Sequence, residues 1–166
     1  MKNDFGRFLE NARNLADIFE VVKTAVQQTT GMSRAGLMLG LADLGNDPRG
    51  FFGAYHPIGD NIIVMNKTPL KRIRETQPEL FKPYAFHILL HEYLHTLGYI
   101  DEEMVKKKTY RITESVFGPE HLATKIASDT VRFIPNLSYP NVAWKPQDIR
   151  IELVEDFDRS SVCYIS

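Results

Sequence analysis

The stretch His91-Glu92-Tyr93-Leu94-His95 constrains this 166-residue chain more than any other part of its sequence. On a helix, residues four apart lie on one face and about 6 Å apart along the axis, so His91 and His95 can offer two imidazole nitrogens to one zinc ion. Glu92 lies about 100° further round the helix, near the metal but free to hold a water molecule. A zinc hydrolase needs two such nitrogens, a third protein ligand, an open position for water and a nearby base.

The residues around this motif predict a well-buried helix that starts near Pro83 and ends at Leu97. Gly98 stands where the helix should end, because glycine takes a left-handed C-terminal conformation without steric cost. Asp101 follows the turn, where the chain can double back towards the two histidines, and is therefore the predicted third ligand. The apolar positions at helical spacing are Phe86, Leu89, Leu90, Tyr93, Leu94 and Leu97.

The segment from His91 to Asp101 resembles the extended H-E-x-x-H-x-x-G-x-x-H/D sequence of the metzincin-like metallopeptidases. The resemblance covers these eleven residues only. It implies a zincin-like fold, a zinc ion held by His91, His95 and Asp101, and Glu92 as the catalytic base. Metzincins also have a methionine turn beneath the metal. Met104 is the only methionine after the motif and is too close in sequence to form that separate turn.

The same segment is also similar to the H-G-x-L-H-x-x-G-Y-D-H sequence of the YbeY-type metal-dependent endoribonucleases. Asp101 falls on the last histidine of that family, and Glu92 replaces its glycine. A carboxylate placed to activate water favours the peptidase, so RNA processing or ribosome association is the alternative, with a catalytically inactive binding module as a third possibility. The matching residues are His91, Leu94, His95, Gly98 and Tyr99.

Three residues compete with Asp101 for the third ligand position. Gluzincins take a glutamate from a second helix about twenty residues or more beyond the motif, and Glu114 lies at roughly that distance. His121 is a better intrinsic zinc ligand than a carboxylate, and otherwise could stabilise an oxyanion. Glu120 is the remaining candidate.

Four further residues have a lesser role in this interpretation. His87 is about 12 Å from His95 along the helix, so it is predicted to pack rather than to bind metal. His56 precedes a proline in a turn and is predicted to lie on the surface. Tyr139 could polarise a substrate carbonyl from a loop, and Cys163 is expected to be a buried, inert thiol rather than a zinc ligand that keeps the enzyme latent.

The chain is predicted to form one α+β domain spanning 1–166, with a long N-terminal helix, a small antiparallel or mixed sheet, the active-site helix and a C-terminal helical subdomain. By resemblance to zincins, the strand at Asn61–Asn66 would lie at the cleft edge and accept a substrate peptide, and the alternative is an ordinary core strand. The other predicted elements are a helix at Phe5–Gln28, strands at Arg34–Leu44 and Phe51–His56, a turn at 45–50, a short helix opened by Thr68 and Pro69, helices at Glu102–Phe117 and Pro119–Ser128, extended structure from Val131, and strands at Asp148–Val154 and Val162–Ile165.

Composition narrows the class of protein. Hydrophobic residues make up 43% and charged residues 25% of the chain, as in globular proteins. A net charge of −1 provides no general attraction to nucleic acid, and the basic run Lys106–Lys108 with Arg111 is interpreted as a solvated face. One cysteine, no signal peptide and no membrane-spanning run favour a cytoplasmic protein. The sequence thus predicts a zinc metallopeptidase acting on peptides or proteins.

Overall fold

The structure is a computed structural model that describes residues 4–44, 51–57, 59–135, 137–138, 149–155 and 157. Helices and a small mixed sheet make up these residues, which confirms the α+β class. A 3₁₀ helix at Pro78–Leu80 leads directly into α4. The helices are α1 Phe5–Asn11, α2 Leu15–Thr30, α3 Lys67–Thr76, α4 Phe81–Thr96, α5 Glu102–Phe117, α6 Leu122–Ser128 and α7 Thr130–Phe133, and the strands are β1 Met38–Ala42, β2 Phe51–Phe52, β3 Ala54–Tyr55, β4 Ile62–Asn66, β5 Leu137–Ser138 and β6 Glu152–Leu153.

The main sheet has the order β3-β4-β1-β6. β1 pairs in parallel with β4, placing Gly40 opposite Val64, while β3 and β6 are antiparallel to their neighbours. The sheet is therefore mixed, which is one of the two arrangements that the sequence predicted. The prediction that β4 lies at the cleft edge is wrong, because β4 has a neighbour on each side, and the alternative of a core strand is confirmed. Its continuous apolar run, in which Ile63, Val64 and Met65 are fully buried, is typical of an interior strand.

Gly40 in β1 allows the segment that leads into β6 to approach closely. A Cβ atom at this position would overlap the Cγ2 methyl of Ile151, the residue just before β6. The absence of a side chain therefore lets the C-terminal segment lie against the sheet, and Val154 N donates to the carbonyl of Leu39 there. A second, two-stranded sheet pairs β2 with β5 in parallel.

The predicted long N-terminal helix is two helices. The Asn14 side chain accepts a hydrogen bond of 2.8 Å from Asp17 N, and the Asp17 carboxylate accepts one of 2.9 Å from Arg13 N. These bonds form an N-cap and begin a new helix, since asparagine at this position satisfies a first-turn amide. Ala12 is extended between the two helices, with φ −63° and ψ 131°.

The helices after the predicted active-site helix agree with the sequence prediction to different degrees. The helix predicted at Glu102–Phe117 is α5 with the same bounds. The helix predicted at Pro119–Ser128 starts later, with His121 as its N-cap. The extended structure predicted from Val131 is wrong up to residue 133, where α7 lies. The turn at 45–50, the strand at Val162–Ile165, Tyr139 and Cys163 lie outside the described residues.

Helix α4 is the centre of the hydrophobic core. It packs against α2, α5 and α6 and against the sheet, so it is buried all round. Tyr93 makes an edge-to-face contact with Phe19 at 5.3 Å, and Phe86 makes one with Phe117 at 4.9 Å. Such burial fixes the side chains that α4 projects towards the site. In the part of the chain that the structure describes, no helix is long and apolar enough to cross a membrane.

The end of α4 turns the chain back on itself. Gly98 has φ 106°, a conformation that side chains rarely adopt, and its N–H donates to the carbonyl of His95. Tyr99 N donates to the carbonyl of Leu94 at 3.3 Å, closing the last turn as in a glycine C-cap. This turn leads into α5, whose first residue, Glu102, faces α4.

Candidate metal centre

His91 and His95 lie side by side on α4, as predicted. Their ring centroids are 5.1 Å apart. His91 is fully buried, and the side chain of His95 is 4% exposed. The i, i+4 spacing of a regular helix brings the two imidazoles together, and the packing of α4 keeps them there.

Glu102, at the start of α5, contacts both histidines. Its Oε2 atom lies 3.0 Å from His91 Nε2 and its Oε1 atom lies 2.8 Å from His95 Nε2. One donor atom from each of the three residues falls within 4.8 Å of the others. Partial burial raises the pKa of Glu102, but the hydrogen bond to His91 and the charges of the two histidines outweigh it and lower that pKa to about 2. Glu102 is therefore an ionised carboxylate facing two imidazoles.

The tautomer of His95 is set by the turn that follows α4. Nδ1 of His95 lies 2.7 Å from the carbonyl oxygen of Tyr99 and donates its proton there. In the neutral ring this leaves a lone pair on Nε2, which faces Glu102. Metal-binding histidines commonly have this arrangement, with the second nitrogen held by a carbonyl or carboxylate.

The contact between His95 and Glu102 requires a positive charge between the two side chains. His95 Nε2 is buried and has no hydrogen-bond partner of adequate geometry, although Glu102 Oε1 is 2.8 Å away. A lone pair and a carboxylate oxygen facing each other at this distance repel unless a positive charge lies with them. A proton can supply that charge, and Glu102 and Glu92 raise the pKa of His95 despite its burial. A divalent metal ion would supply it for all three residues, so the donor set fits a metal.

Glu92 is a buried carboxyl group beside this cluster. It is 3% exposed, and burial raises its pKa to about 8, with His95 opposing the rise and Glu102 adding to it. A carboxyl group in an apolar environment binds its proton more tightly than one in water. A base is most effective when its pKa is near the working pH, so Glu92 has the electrostatic setting of a proton carrier.

Asp101, the predicted third ligand, is not part of this cluster. It is exposed, and its Oδ2 atom accepts a hydrogen bond of 3.3 Å from Met104 N as the N-cap of α5. An N-cap carboxylate turns towards the amides of its own helix, and the next residue, Glu102, faces α4 instead. The sequence contained a signal for this, since Asp followed by two acidic residues is a typical helix start.

The other candidates for the third position also lie elsewhere. The Glu114 carboxylate accepts a hydrogen bond from Tyr110, and Glu120 is exposed near Lys125. His121 caps α6 by accepting a hydrogen bond of 3.1 Å from Ala123 N, and its ring stacks on Phe117. His121 therefore has a structural role at the start of a helix.

Two further histidines complete the surroundings of the site. His87 is 4% exposed and packs in the core, in agreement with the prediction. His56, predicted to be on the surface, is 7% exposed, because its Nδ1 donates to the carbonyl of Ile62 at 2.9 Å and holds the ring against the sheet. Burial lowers the pKa of His56, and the charges of Arg34 and His95 lower it further. The surface position predicted for His56 is therefore wrong, because the sequence contains no sign of this hydrogen bond.

Arg34 fixes the C-terminal end of α4. Its Nη1 atom donates to the carbonyl of Thr96 at 2.8 Å, and its backbone N–H donates to the hydroxyl of Tyr93 at 2.9 Å. A cation at the carbonyl end of a helix is favourable because it complements the helix dipole. The segment before β1 is thus tied to the turn that carries His95.

No protein-family model, no curated protein and no solved structure matches the chain.

Proposed function

We propose that this protein is a zinc-dependent hydrolase that cleaves peptide bonds, with His91, His95 and Glu102 as the metal ligands. The observation that supports the proposal best is the convergence of both histidine Nε2 atoms on the Glu102 carboxylate, at 3.0 and 2.8 Å. In this proposal the third ligand is Glu102 and not Asp101, which the sequence predicted.

The type and number of ligands favour zinc in a catalytic role. Two imidazoles and one carboxylate form the ligand set of several zinc peptidases, whereas structural zinc sites have four protein ligands. Among the described residues the cluster contains three ligands. Zinc in such a site lowers the pKa of a bound water towards neutrality.

Glu92 would provide the base. It is one residue from His91 and buried, and burial raises its pKa to about 8. The charge of a bound zinc ion would favour its ionised form, which can take a proton from the attacking water and pass it to the leaving amine. The Glu102 carboxylate cannot act as both metal ligand and base, because its two oxygens are directed at the two histidines.

A second candidate function is metal-dependent cleavage of RNA. It is favoured by Lys106, Lys107 and Arg111, which are exposed on the same helix as Glu102. RNA binding through these residues would weaken steeply with added salt. Peptide hydrolysis remains the preferred proposal, because Glu92 provides a base for water attack. In addition, Glu103 lies 3.6 Å from Lys106 and offsets part of the positive charge that RNA binding would use.

The test combines metal analysis with two substrate screens. Purified protein should contain about one zinc per chain, and the double variant H91A/H95A should contain none. A mixture of peptides and a set of single-stranded and structured RNAs then identify the substrate class. The variant E92Q should keep its zinc and lose turnover, while E103Q, which alters an exposed glutamate on α5, should keep both.

Each outcome has a distinct meaning. Zinc bound by the cluster, with peptide cleavage lost in E92Q, supports the proposal. Full activity of E92Q would show that the assigned base is wrong. Cleavage of RNA alone would favour the second function, zinc without turnover would indicate a binding module, and the absence of zinc after reconstitution would contradict the metal site.

A further inference from the structure

A cavity of about 700 Å³ lies at the end of α4 opposite the metal cluster. It is bordered by Phe81 and Lys82 in the first turn of α4, by α1 and the residues linking it to α2, and by the start of α6. Lys82 and His91 are nine positions apart, which corresponds to about 13 Å along the helix axis. A molecule bound here would therefore not touch the metal ligands.

Apolar side chains form the floor of this cavity. Leu9 and Ile18 are 3% and 1% exposed, and Phe81 and Leu122 are among the other apolar lining residues. The volume falls within the range of about 300–1,000 Å³ that is usual for small-molecule sites. A floor of this kind favours an apolar chain or ring over a fully polar ligand.

Basic side chains form much of the rim. Lys82 donates to the backbone carbonyl of Glu10, and the guanidinium of Arg74 lies 4.3 Å from the ring centre of Phe81. Neither contact neutralises a positive charge, and no carboxylate among the described residues pairs with Arg74 or Lys82. Arg13, also on the rim, lies 3.6 Å from the Asp17 carboxylate.

The ends of two long helices add to this positive field. The first turns of α2 and α4, each 16 residues long, border the cavity at Asn14 and Phe81. α4 has no side-chain cap at this end. The positive end of a helix dipole favours an anion. The rim acids Glu10 and Glu79 offset part of the positive charge. The preference for a negative group therefore comes from Arg74 and Lys82, which pair with no carboxylate of the described residues, and from the two helix ends.

We infer that this cavity binds a small amphiphilic carboxylate, with its apolar chain on Leu9, Ile18 and Leu122 and its anionic group at Arg74 and Lys82. The inference does not depend on the proposed hydrolase activity. It assigns a ligand class to a second site, at the other end of the same helix.

Sodium decanoate, kept below its micelle concentration, is a suitable probe of the full chain. Calorimetric titration should give saturable binding of one molecule per chain. Backbone amide NMR shifts should concentrate at Leu9, Arg13, Phe81 and Lys82. Decanol has the alkyl chain without the negative charge, and acetate has the negative charge without the long alkyl chain. Both should bind more weakly than decanoate.

The double variant R74Q/K82Q should bind decanoate at least about tenfold more weakly, since it loses charge-assisted hydrogen bonds. The matched control K71Q/R72Q makes the same change in charge on the exposed residues of α3 outside the cavity and should bind like the parent. Equal affinity in R74Q/K82Q, equal binding of decanol, non-saturable binding, or NMR shifts away from the cavity would each overturn the inference.

Discussion

Two adjacent acids, Asp101 and Glu102, should have separate effects when replaced. Replacing Glu102 should weaken metal binding, and replacing Asp101 should lower helix stability. Glu102 contacts both histidines, whereas Asp101 contacts the first turn of α5. Loss of an outer-shell partner costs about 10–100-fold in metal affinity, so we expect E102Q, which alters a proposed direct ligand, to lose at least about 100-fold. The same change should have little effect on the N-cap.

The variant D101A should give the opposite result. It removes a capping hydrogen bond of 3.3 Å to Met104 N, which stabilises a helix by about 1 kcal/mol. For a chain of this size, that loss lowers the melting temperature by about 2–4 °C. Its zinc affinity should equal that of the parent protein.

Two measurements separate the effects. Competition with a fluorescent zinc chelator at fixed pH gives the metal affinity of each variant, and thermal denaturation of the metal-free proteins gives the change in stability. The assignment of Glu102 would be refuted by D101A losing zinc as strongly as E102Q, or by E102Q retaining parental affinity.

Three further predictions concern stability. His87, whose pKa is lowered to about 3 by burial and by His91, stays neutral in the folded protein but binds a proton below about pH 6.5 when unfolded. The metal-free protein should therefore lose about 2 kcal/mol between pH 7 and 5 through this group, and H87Q should lose correspondingly less. G40A should destabilise the protein by about 1–2 kcal/mol through overlap with Ile151, and I151A should relieve much of this effect. Y93F should cost about 1–2 kcal/mol, because Arg34 N loses its partner.

Urea denaturation measures all three effects. For His87 the comparison is the difference in slope of stability against pH between parent and H87Q, and parallel curves would contradict the assigned burial. For Gly40, additive effects of the two substitutions would show that the residues do not meet. For Tyr93, an unchanged free energy of unfolding in Y93F would show that water replaces the hydroxyl.

Local signals in the sequence were sufficient for the helices around the site. The i, i+4 histidines, the apolar spacing of α4 and the glycine at 98 predicted a buried helix that ends near the metal ligands, and α5 has the predicted bounds. These features depend on residues within one or two turns of each other, which is the range over which spacing and capping act.

Features that depend on distant partners were not predictable in the same way. Nothing local to β1 shows that it pairs in parallel with β4, because both strands are compatible with either direction. The sequence indicated Asp101 as the candidate third ligand, whereas the carboxylate that contacts both histidines is that of the next residue, Glu102, since spacing shows that the chain returns to α4 but not which carboxylate points inward. The burial of His56 depends on a carbonyl six residues away across a turn.

All the ligands of the metal cluster come from one short segment, and this affects the unfolded chain as well. His91 and Glu102 are eleven positions apart, so the entropic cost of bringing them together in the unfolded chain is small. The denatured chain should therefore retain some affinity for zinc. Added metal will then raise the unfolding free energy by less than its affinity for the native protein implies, because part of the binding is shared by both states.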